Sequence, residues 1–233
     1  MKCAVMQPYF MPYIGYWQLI NSVDEFVIFD DVNYIKKGYI NRNNYLVQGK
    51  SKLFSIEMEN ASQNKKINEV FIAKNPTKLL KSISQEYKKA PYFEDVYPIV
   101  NDLLSNCEGK RISDLNHDSI LKVLDYLGIK KKVSLSSELN IPIEIRAQDR
   151  IIEICSKKGC SQYVNAIGGR ELYDKASFNN NNIELSFIKS ENASYRQFGN
   201  SFVPNLSMID VLFFNSKTEI HSLLNKYSLI QGD

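Results

Sequence analysis

The amino-terminal segment constrains the fold of this chain more strongly than any other. An apolar run at residues 4–6 is followed by a turn rich in proline and tyrosine, by a helix-like apolar stretch at 14–22, and by a second apolar run at 26–29. This order of strand, turn, helix and strand predicts a unit of two parallel strands with a right-handed crossover. Asp30 and Asp31 end the second strand. Because ligands of open α/β sheets bind at the carboxyl ends of the strands, we expect the turn and the two acids to border one site.

Strand-like and helix-like segments alternate along the rest of the chain, which favours an α/β fold over separate domains. We predict a single domain over residues 1–233, with a Rossmann-like, mostly parallel sheet, helices on both faces, and a helical portion inserted at about 76–127. Further strands are predicted at 44–48, 52–58, 67–72, 130–135, 162–166 and 183–188. Further helices are predicted at 76–87, 98–105, 112–127, 149–158, 171–177, 207–214 and 219–227.

The charge balance argues against a nucleic-acid-binding protein, since 29 basic and 26 acidic side chains leave a net charge of only +3. No stretch reaches the roughly 18–20 apolar residues of a membrane-spanning helix. The first residues lack the pattern of a secretory signal, so we expect a cytoplasmic protein that does not insert into a membrane.

The cysteines and histidines do not form a metal-binding or triad pattern. Cys155 and Cys160 are five residues apart, which is not the spacing of zinc or redox motifs, and we predict that the four cysteines are buried thiols. Only His117 and His221 are available for a histidine-based metal site or catalytic triad, so we expect neither.

Polar aromatic residues concentrate in the first turn. Gln7, Tyr9, Tyr13 and Tyr16 can line a pocket beside a helix N-terminus, where backbone N–H groups favour anions and tyrosine hydroxyls bind sugar or phosphate oxygens. Gly15 is expected to allow close approach or a tight turn. The alternative is that these aromatic side chains belong to the core.

Asp30 and Asp31 are candidates for a general base, a metal ligand or an anchor for a substrate amine. Neighbouring residues of a strand point to opposite faces, so we expect one of the two to reach the site and leave open which one. His117 is a further candidate base, although we predict that it starts a helix and caps it. No Asp-x-Asp motif is present, and no metal is expected.

Two other segments offer polar ligands. The first mixes cationic, aromatic and amide side chains without an apolar stripe, and it comprises Lys36, Lys37, Tyr39, Asn41, Arg42 and Asn43. The second lies between a predicted strand and a predicted helix and comprises Asn165, Gly168, Gly169 and Arg170, with Gln197 in a later loop. Arginine forks suit phosphates and carboxylates, and glycine-rich turns expose backbone N–H groups to anions. The alternative for both segments is a solvated surface loop.

The chain resembles the WbqC-like protein family over nearly its whole length. The motifs that carry this resemblance are residues 7–16, 30–31, 41–43, 90–93, 127–129, 168–170 and 207–210. The family is known mostly from bacterial O-antigen and surface-polysaccharide gene clusters, so the resemblance implies a place in lipopolysaccharide biosynthesis.

A more distant similarity concerns the turn Pro12-Tyr13-Ile14-Gly15-Tyr16, which resembles the Pro-x-His-x-Gly-His turn of class I nucleotidylyltransferases. It implies a nucleotidylyltransferase-like sheet. Tyrosines stand at both histidine positions and cannot carry a positive charge, which argues against that family's reaction.

Together these observations predict a transferase that moves an acyl or aminoacyl group to the amino group of a nucleotide-linked amino sugar. The activated donor is the one co-substrate implied, and no tightly bound cofactor is indicated. Asp30 or Asp31 would act as base or amine anchor, phosphates would be held by Arg42, Lys36 and Arg170, and the sugar by Tyr9 and Tyr13.

This hypothesis expects Tyr13, Asp31 and Arg42 around one hollow. The alternatives are an ATP-using nucleotidylyl or ligase-type enzyme, a non-catalytic sugar-nucleotide binding protein, and a structural partner in an assembly.

Overall fold

The computed structural model describes residues 1–191, 193–199 and 201–231. Its strands are β1 (Lys2–Met6), β2 (Glu25–Ile28), β3 (Arg42–Val47), β4 (Lys50–Ser55), β5 (Met58–Glu59), β6 (Phe71–Ile72), β7 (Lys132–Leu135), β8 (Gln162–Ala166), β9 (Glu184–Ser190) and β10 (Tyr227–Gln231). Its α-helices are α1 (Ile14–Ser22), α2 (Thr77–Tyr87), α3 (Phe93–Ser105), α4 (Ile112–Leu127), α5 (Ala147–Lys157), α6 (Lys175–Asn180), α7 (Met208–Phe214) and α8 (Lys217–Leu224). Short 3₁₀-helices cover Ile67–Glu69, Ser136–Leu139 and Ile167–Leu172.

The central sheet has six strands in the order β10-β9-β8-β1-β2-β7. All neighbouring pairs are parallel except β9 and β10, which are antiparallel at one edge. The chain builds outward from β1 through β2 to β7, then returns to the other side of β1 and continues through β8 and β9. The direction of winding therefore reverses between β1 and β8, which is where open α/β sheets leave a crevice at the carboxyl ends of their strands.

Helices cover both faces of this sheet. Alternate residues of a strand point to opposite sides. Ala4 and Phe26 belong to a core that includes side chains of α1, α7 and α8, whereas Val5 and Val27 belong to a second core with side chains of α5 and α6. Burial on both faces is typical of parallel sheets. The prediction of an α/β fold with a mostly parallel sheet is thus confirmed.

The connection between β2 and β7 is the longest in the chain and contains the helices α2, α3 and α4. It also contains two small two-stranded sheets, formed by β3 with β4 and by β5 with β6. Both sheets come before the helical portion that the sequence predicts at about 76–127. The apolar side chains of this connection belong to the same core as those of α1, so it packs onto the sheet rather than around a core of its own. No helix in the described ranges is long and apolar enough to cross a membrane.

Some local predictions are wrong. The predicted strand at 67–72 is a 3₁₀-helix, Ile67–Glu69, followed by the short strand β6. In place of the predicted helix at 171–177, the chain forms the 3₁₀-helix Ile167–Leu172 and then α6, which begins at Lys175. The predicted helix at 219–227 ends at Leu224, and β10 follows it, because pairing with β9 outweighs the weak local pattern. His117 lies inside α4 rather than at its start. The four cysteines are free and buried, as predicted.

A buried carboxylate ties α7 to two other parts of the chain. Asp210 is fully buried, and it accepts hydrogen bonds of 2.7 Å from the hydroxyls of Tyr87 and Tyr195 and from Nε2 of Gln197. The Gln197 amide also bonds both the N–H and the carbonyl of Val203. Gln197 is therefore committed to the scaffold, away from the ligand contact that the sequence suggests. Burial raises the pKa of Asp210 above its ordinary value, although the three donors oppose the rise.

The raised pKa predicts how stability changes with pH. A carboxyl group whose pKa is raised by folding stabilises most below its ordinary pKa of 3.8, and this contribution is lost as pH rises through the folded-state value. Relative to Asp210→Asn, the wild-type free energy of unfolding should therefore fall as pH rises from below 3.8 toward neutral, as measured by urea unfolding. As a control, Lys122 lowers the pKa of the exposed Asp102, so Asp102→Asn should show no such loss toward neutral pH. An unchanged difference for Asp210→Asn across this range would contradict the assignment.

Candidate functional site

Two cavities that share two lining residues open at the carboxyl edge of the sheet. Their volumes are about 530 and 440 Å³. The part at the β1/β8 junction, called here the neutral compartment, has no charged residue in its wall. It measures about 530 Å³ and is lined by Val5, Met6, Gln7, Tyr9, Phe29, Ala147, Gln148, Ile151, Asn165, Ala166, Gly168, Gly169, Leu172 and Tyr173. Its position follows from the reversal of the strand order.

The end of β8 supplies an ordered amide to the neutral compartment. Nδ2 of Asn165 donates to the hydroxyls of Tyr163 and Tyr173 at 3.0 and 2.8 Å, and its Oδ1 accepts from the N–H of Ala166. A Cβ atom at Gly169 would lie 3.4 Å from Asn165 Nδ2, so a side chain there would be in van der Waals contact with this amide. The sequence thus places a fixed polar group and bare backbone at the same strand end.

The end of β1 supplies a tyrosine group. The ring of Tyr9 lies 5.5 Å from that of Tyr16 and 5.9 Å from that of Tyr39, centroid to centroid. Burial, and then the neighbouring hydroxyls of Tyr13 and Tyr39, raise the pKa of Tyr9. The Tyr9 hydroxyl therefore stays protonated at neutral pH and can both donate and accept hydrogen bonds.

The adjoining part, called here the charged compartment, shares Phe29 and Ala147 with the neutral one. It measures about 440 Å³ and is lined by Phe29, Asp31, Val32, Asn33, Lys66, Ile143, Ile145, Arg146, Ala147 and Arg150. Both compartments lie at the carboxyl edge of the sheet, the charged one beyond the end of β2 and the neutral one beyond the ends of β1 and β8.

A buried ion pair forms part of the wall of the charged compartment. Asp31 pairs with Arg150, and each of the two side chains is 8% exposed. The guanidinium of Arg150 also donates to the carbonyls of Pro142 and Ile145, at 2.9 and 3.1 Å, while the Ser136 hydroxyl donates to Asp31. Because a buried pair must recover the cost of leaving water, these extra hydrogen bonds are what keep the two charges in place.

The neighbouring acid, Asp30, faces away from the cleft. It is fully buried and accepts hydrogen bonds from the N–H and the hydroxyl of Ser137, at 3.0 and 2.8 Å. Of the two acids whose orientation the sequence leaves open, Asp31 is the one that lines a compartment, and Asp30 anchors the 3₁₀-helix Ser136–Leu139 behind it.

The remaining tyrosines of the first turn have other contacts. Tyr16 is buried and donates to the carbonyl of Gln7 at 2.8 Å. The ring of Tyr13 covers Gly15, where a Cβ atom would lie 2.6 Å from Tyr13 Cε2. Tyr13 lines a different cavity of about 280 Å³, together with Tyr195. It does not line the compartment that contains Asp31.

The amide and cationic segment after β2 mainly holds the turn in place. Asn43 is buried, and its Nδ2 donates to the carbonyls of Phe10 and Met11 at 3.1 and 2.8 Å. Nε of Arg42 donates to the carbonyl of Gly38 at 2.7 Å. The backbone thus engages the guanidinium, and Arg42 lines neither compartment. The expectation that Tyr13, Asp31 and Arg42 surround one hollow is wrong.

Several other candidates lie outside the walls of both compartments. Lys36 and Lys37 are exposed, and Asn41 bonds the Tyr34 hydroxyl and a backbone carbonyl. His117 in α4 and Arg170 in the 3₁₀-helix Ile167–Leu172 are half-buried, and neither of them lines a compartment. The described ranges contain no group of three His, Cys, Asp or Glu side chains that could hold a metal.

Sequence reasoning missed the cationic residues of the cleft, namely Lys66, Arg146 and Arg150. A signal was present for two of them, because the helix that follows a parallel strand starts at the carboxyl edge of the sheet. The helix was predicted to begin at 149, whereas α5 begins at Ala147 and brings Arg146 to its N-terminus. Lys66 lies far from the strands in the sequence, and no local pattern marks it.

Comparison with known proteins identifies a family and a relative. The family model of the WbqC-like protein family matches residues 7–222. A Mycobacterium tuberculosis protein, "Uncharacterized protein Rv1507c", is 24% identical over 218 residues, which cover 91% of this chain and 93% of the relative. No solved structure matches this chain.

The contacts of Asn43 predict its effect on stability. In Asn43→Ala the carbonyls of Phe10 and Met11 lose their donor in a buried turn, which should lower the free energy of unfolding by about 1–3 kcal/mol in urea unfolding experiments. Asn44→Ala, at the adjacent half-buried position of the same strand, is the matched control and should cost clearly less. Equal costs for the two variants would show that the Asn43 amide does not hold the turn.

Proposed function

The chain belongs to the WbqC-like protein family, and from this premise we propose that it is a transferase of bacterial surface-polysaccharide (O-antigen) biosynthesis. Its acceptor is a nucleotide-linked amino sugar, and its donor carries an activated acyl or aminoacyl group. The resemblance of the sequence to proteins of O-antigen gene clusters supports the pathway. The observation that carries the proposal is the two-part cleft at the point where the strand order reverses.

The strand order supports a nucleotide as part of the substrate. When the six strands of the central sheet are numbered along the chain, their order is 3-2-1-4-5-6, which is that of Rossmann-like sheets. Such sheets bind nucleotides at the junction of strands 1 and 4, here β1 and β8. The neutral compartment lies at this junction and offers aromatic rings and exposed backbone to a nucleoside or sugar, beside the Asn165 amide, whose two N–H donors are taken up by Tyr163 and Tyr173.

The two compartments together suit one extended substrate. The neutral and charged compartments share Phe29 and Ala147, so an anionic part and an uncharged part of a nucleotide sugar could occupy them together. The donor would then reach the amino group from solvent, and holding two reactants in contact is a large part of what a transferase must do. The charged compartment suits an anionic group, and the neutral compartment suits a polar, uncharged one.

In the proposed reaction the amine nitrogen of the sugar attacks the carbonyl carbon of the donor. A C–N bond forms, the bond between the acyl carbon and the leaving group breaks, and the leaving group departs with its electron pair. The nitrogen must lose one proton, and Asp31 is the carboxylate in the wall of the cleft that can accept it. Arg150 and Ser136 hold Asp31 in position for this role.

One observation favours a second candidate, a non-catalytic sugar-nucleotide binding protein. Asp31 is already engaged by Arg150, and Asp30 is fully buried among serine donors. In this alternative the ion pair only shapes the cleft. The ATP-using alternative is less favoured because the turn presents Tyr13 and Tyr16, which supply no positive charge to a triphosphate.

The role of Asp31 separates these candidates. Asp31→Asn preserves the size of the side chain but not its basicity, so transfer should fall by about 10²- to 10⁴-fold, and a melting curve of the variant must show that it still folds without the buried ion pair. The assay incubates the protein with UDP- and dTDP-linked amino sugars and acyl thioester or aminoacyl donors, and follows the mass gain of the sugar nucleotide. Asp149→Asn is the matched control, because this exposed acid of the first turn of α5 does not line the cleft.

The outcomes distinguish the two candidates directly. Loss of transfer in Asp31→Asn but not in Asp149→Asn supports the transferase. Tight binding of the sugar nucleotide by the wild type without a mass gain for any donor supports the binding protein and removes the transferase.

A further inference from the structure

We infer that the charged compartment is the binding site for the diphosphate group of the substrate, held by the N-terminus of α5, Arg150, Arg146 and Lys66. This inference rests on the proposed function, in which the substrate is nucleotide-linked. It goes beyond it by naming the group that enters this compartment and the residues that receive it, none of which the sequence patterns single out.

The first observation is the position of α5. This helix has 11 residues, and no side chain of the described ranges caps its N-terminus. Its first residue, Ala147, lines both compartments. The N-terminus of a helix carries a partial positive charge and N–H groups without intrahelical partners, so it favours phosphate oxygens.

The second observation is an incomplete hydrogen-bond set on Arg150. This residue lines the charged compartment and is only 7% exposed. Its terminal nitrogens donate to Asp31 and to loop carbonyls. Among the described residues, nothing accepts a hydrogen bond from its buried Nε–H. A buried donor without an acceptor is costly, and because this nitrogen has almost no accessible surface, a turn of the side chain toward a phosphate oxygen in the compartment would make the hydrogen bond that the fold leaves unmade.

The third observation is the charge of the wall. Asp31 is the one carboxylate among the lining residues, and it is matched by Arg150. Lys66 and Arg146 then leave the wall with two positive charges. Asp149, in the first turn of α5, is exposed and does not line the compartment. Two positive charges beside a helix N-terminus complement the two negative charges of a diphosphate ester better than the single charge of a carboxylate.

The shared boundary gives the diphosphate a direction. A diphosphate in the charged compartment would direct one of its two substituents past Phe29 and Ala147 into the neutral compartment. Either the nucleoside or the sugar of the substrate could occupy that space. A free diphosphate and a nucleoside diphosphate present the same phosphate oxygens to the protein. The experiment therefore compares the binding of both.

The test is calorimetric titration of the full chain with UDP, dTDP, inorganic pyrophosphate and uridine. We expect UDP or dTDP to bind, pyrophosphate to bind more weakly and to compete with them, and uridine to bind weakest. Lys66→Gln and Arg146→Gln should each weaken nucleoside diphosphate binding about fivefold, and the double variant about thirtyfold. Lys157→Gln, in the last turn of α5 at the opposite end of the helix, is the matched control and should bind as the wild type does.

Arg150→Lys tests the Nε–H directly, because it keeps the charge and removes the fork. A loss of diphosphate affinity in Arg150→Lys supports the inference only if the melting temperature of this variant is unchanged. If Arg150→Lys does not fold, the Lys66→Gln and Arg146→Gln variants provide the test. Wild-type affinity in the double variant, or no diphosphate binding by the wild type, would overturn the inference. Diphosphate binding that depends on Lys66 and Arg146 without any transfer reaction would leave this site standing and remove only the transferase.

Discussion

The pairing of β1 on both of its edges is the constraint on which the rest of the structure depends. β1 lies between β2 and β8, and both pairings are parallel. A strand in this position must be apolar on both faces, as Ala4 and Val5 are, and it forces the chain to wind outward on two sides. The crevice at the β1/β8 junction is a direct consequence, since the connections leave these two strands in opposite directions.

Once the crevice exists, its chemistry is set by which side chains the fold can keep buried there. A lone carboxylate at the end of β2 would pay heavily for leaving water. Arg150 compensates Asp31 from α5, and the loop carbonyls of Pro142 and Ile145 satisfy the guanidinium in turn. The pair therefore joins the sheet, the helix and the loop before α5 at the wall of the cleft. Such a joint fixes the shape of the charged compartment.

The sequence predicts the part of this site that lies next to strands in the chain. Asn165 lies near the carboxyl end of β8, and Gln7, Tyr9 and the two glycines come soon after β1 or β8, so the rule for open sheets locates them at the cleft, and they line the neutral compartment. The roles of Arg42 and Asn43 could not be read in the same way. Their donors are taken up by backbone carbonyls of nearby turns, and whether a polar side chain binds its own fold or a ligand depends on tertiary contacts that no local pattern encodes.

The tyrosines of the first turn also explain why the positive charge of the site lies elsewhere. In the nucleotidylyltransferase turn that this segment resembles, histidines face the phosphates, whereas here Tyr16 is buried against Gln7 and Tyr13 covers Gly15. A turn of this kind can order the end of β1 but cannot neutralise an anion. The cations of the cleft come instead from the start of α5 and from Lys66. The positive charge of the crevice therefore lies at the start of α5, the helix that precedes β8, and at Lys66 rather than in the first crossover, so an anion bound there would lie on the β2 side of the β1/β8 junction.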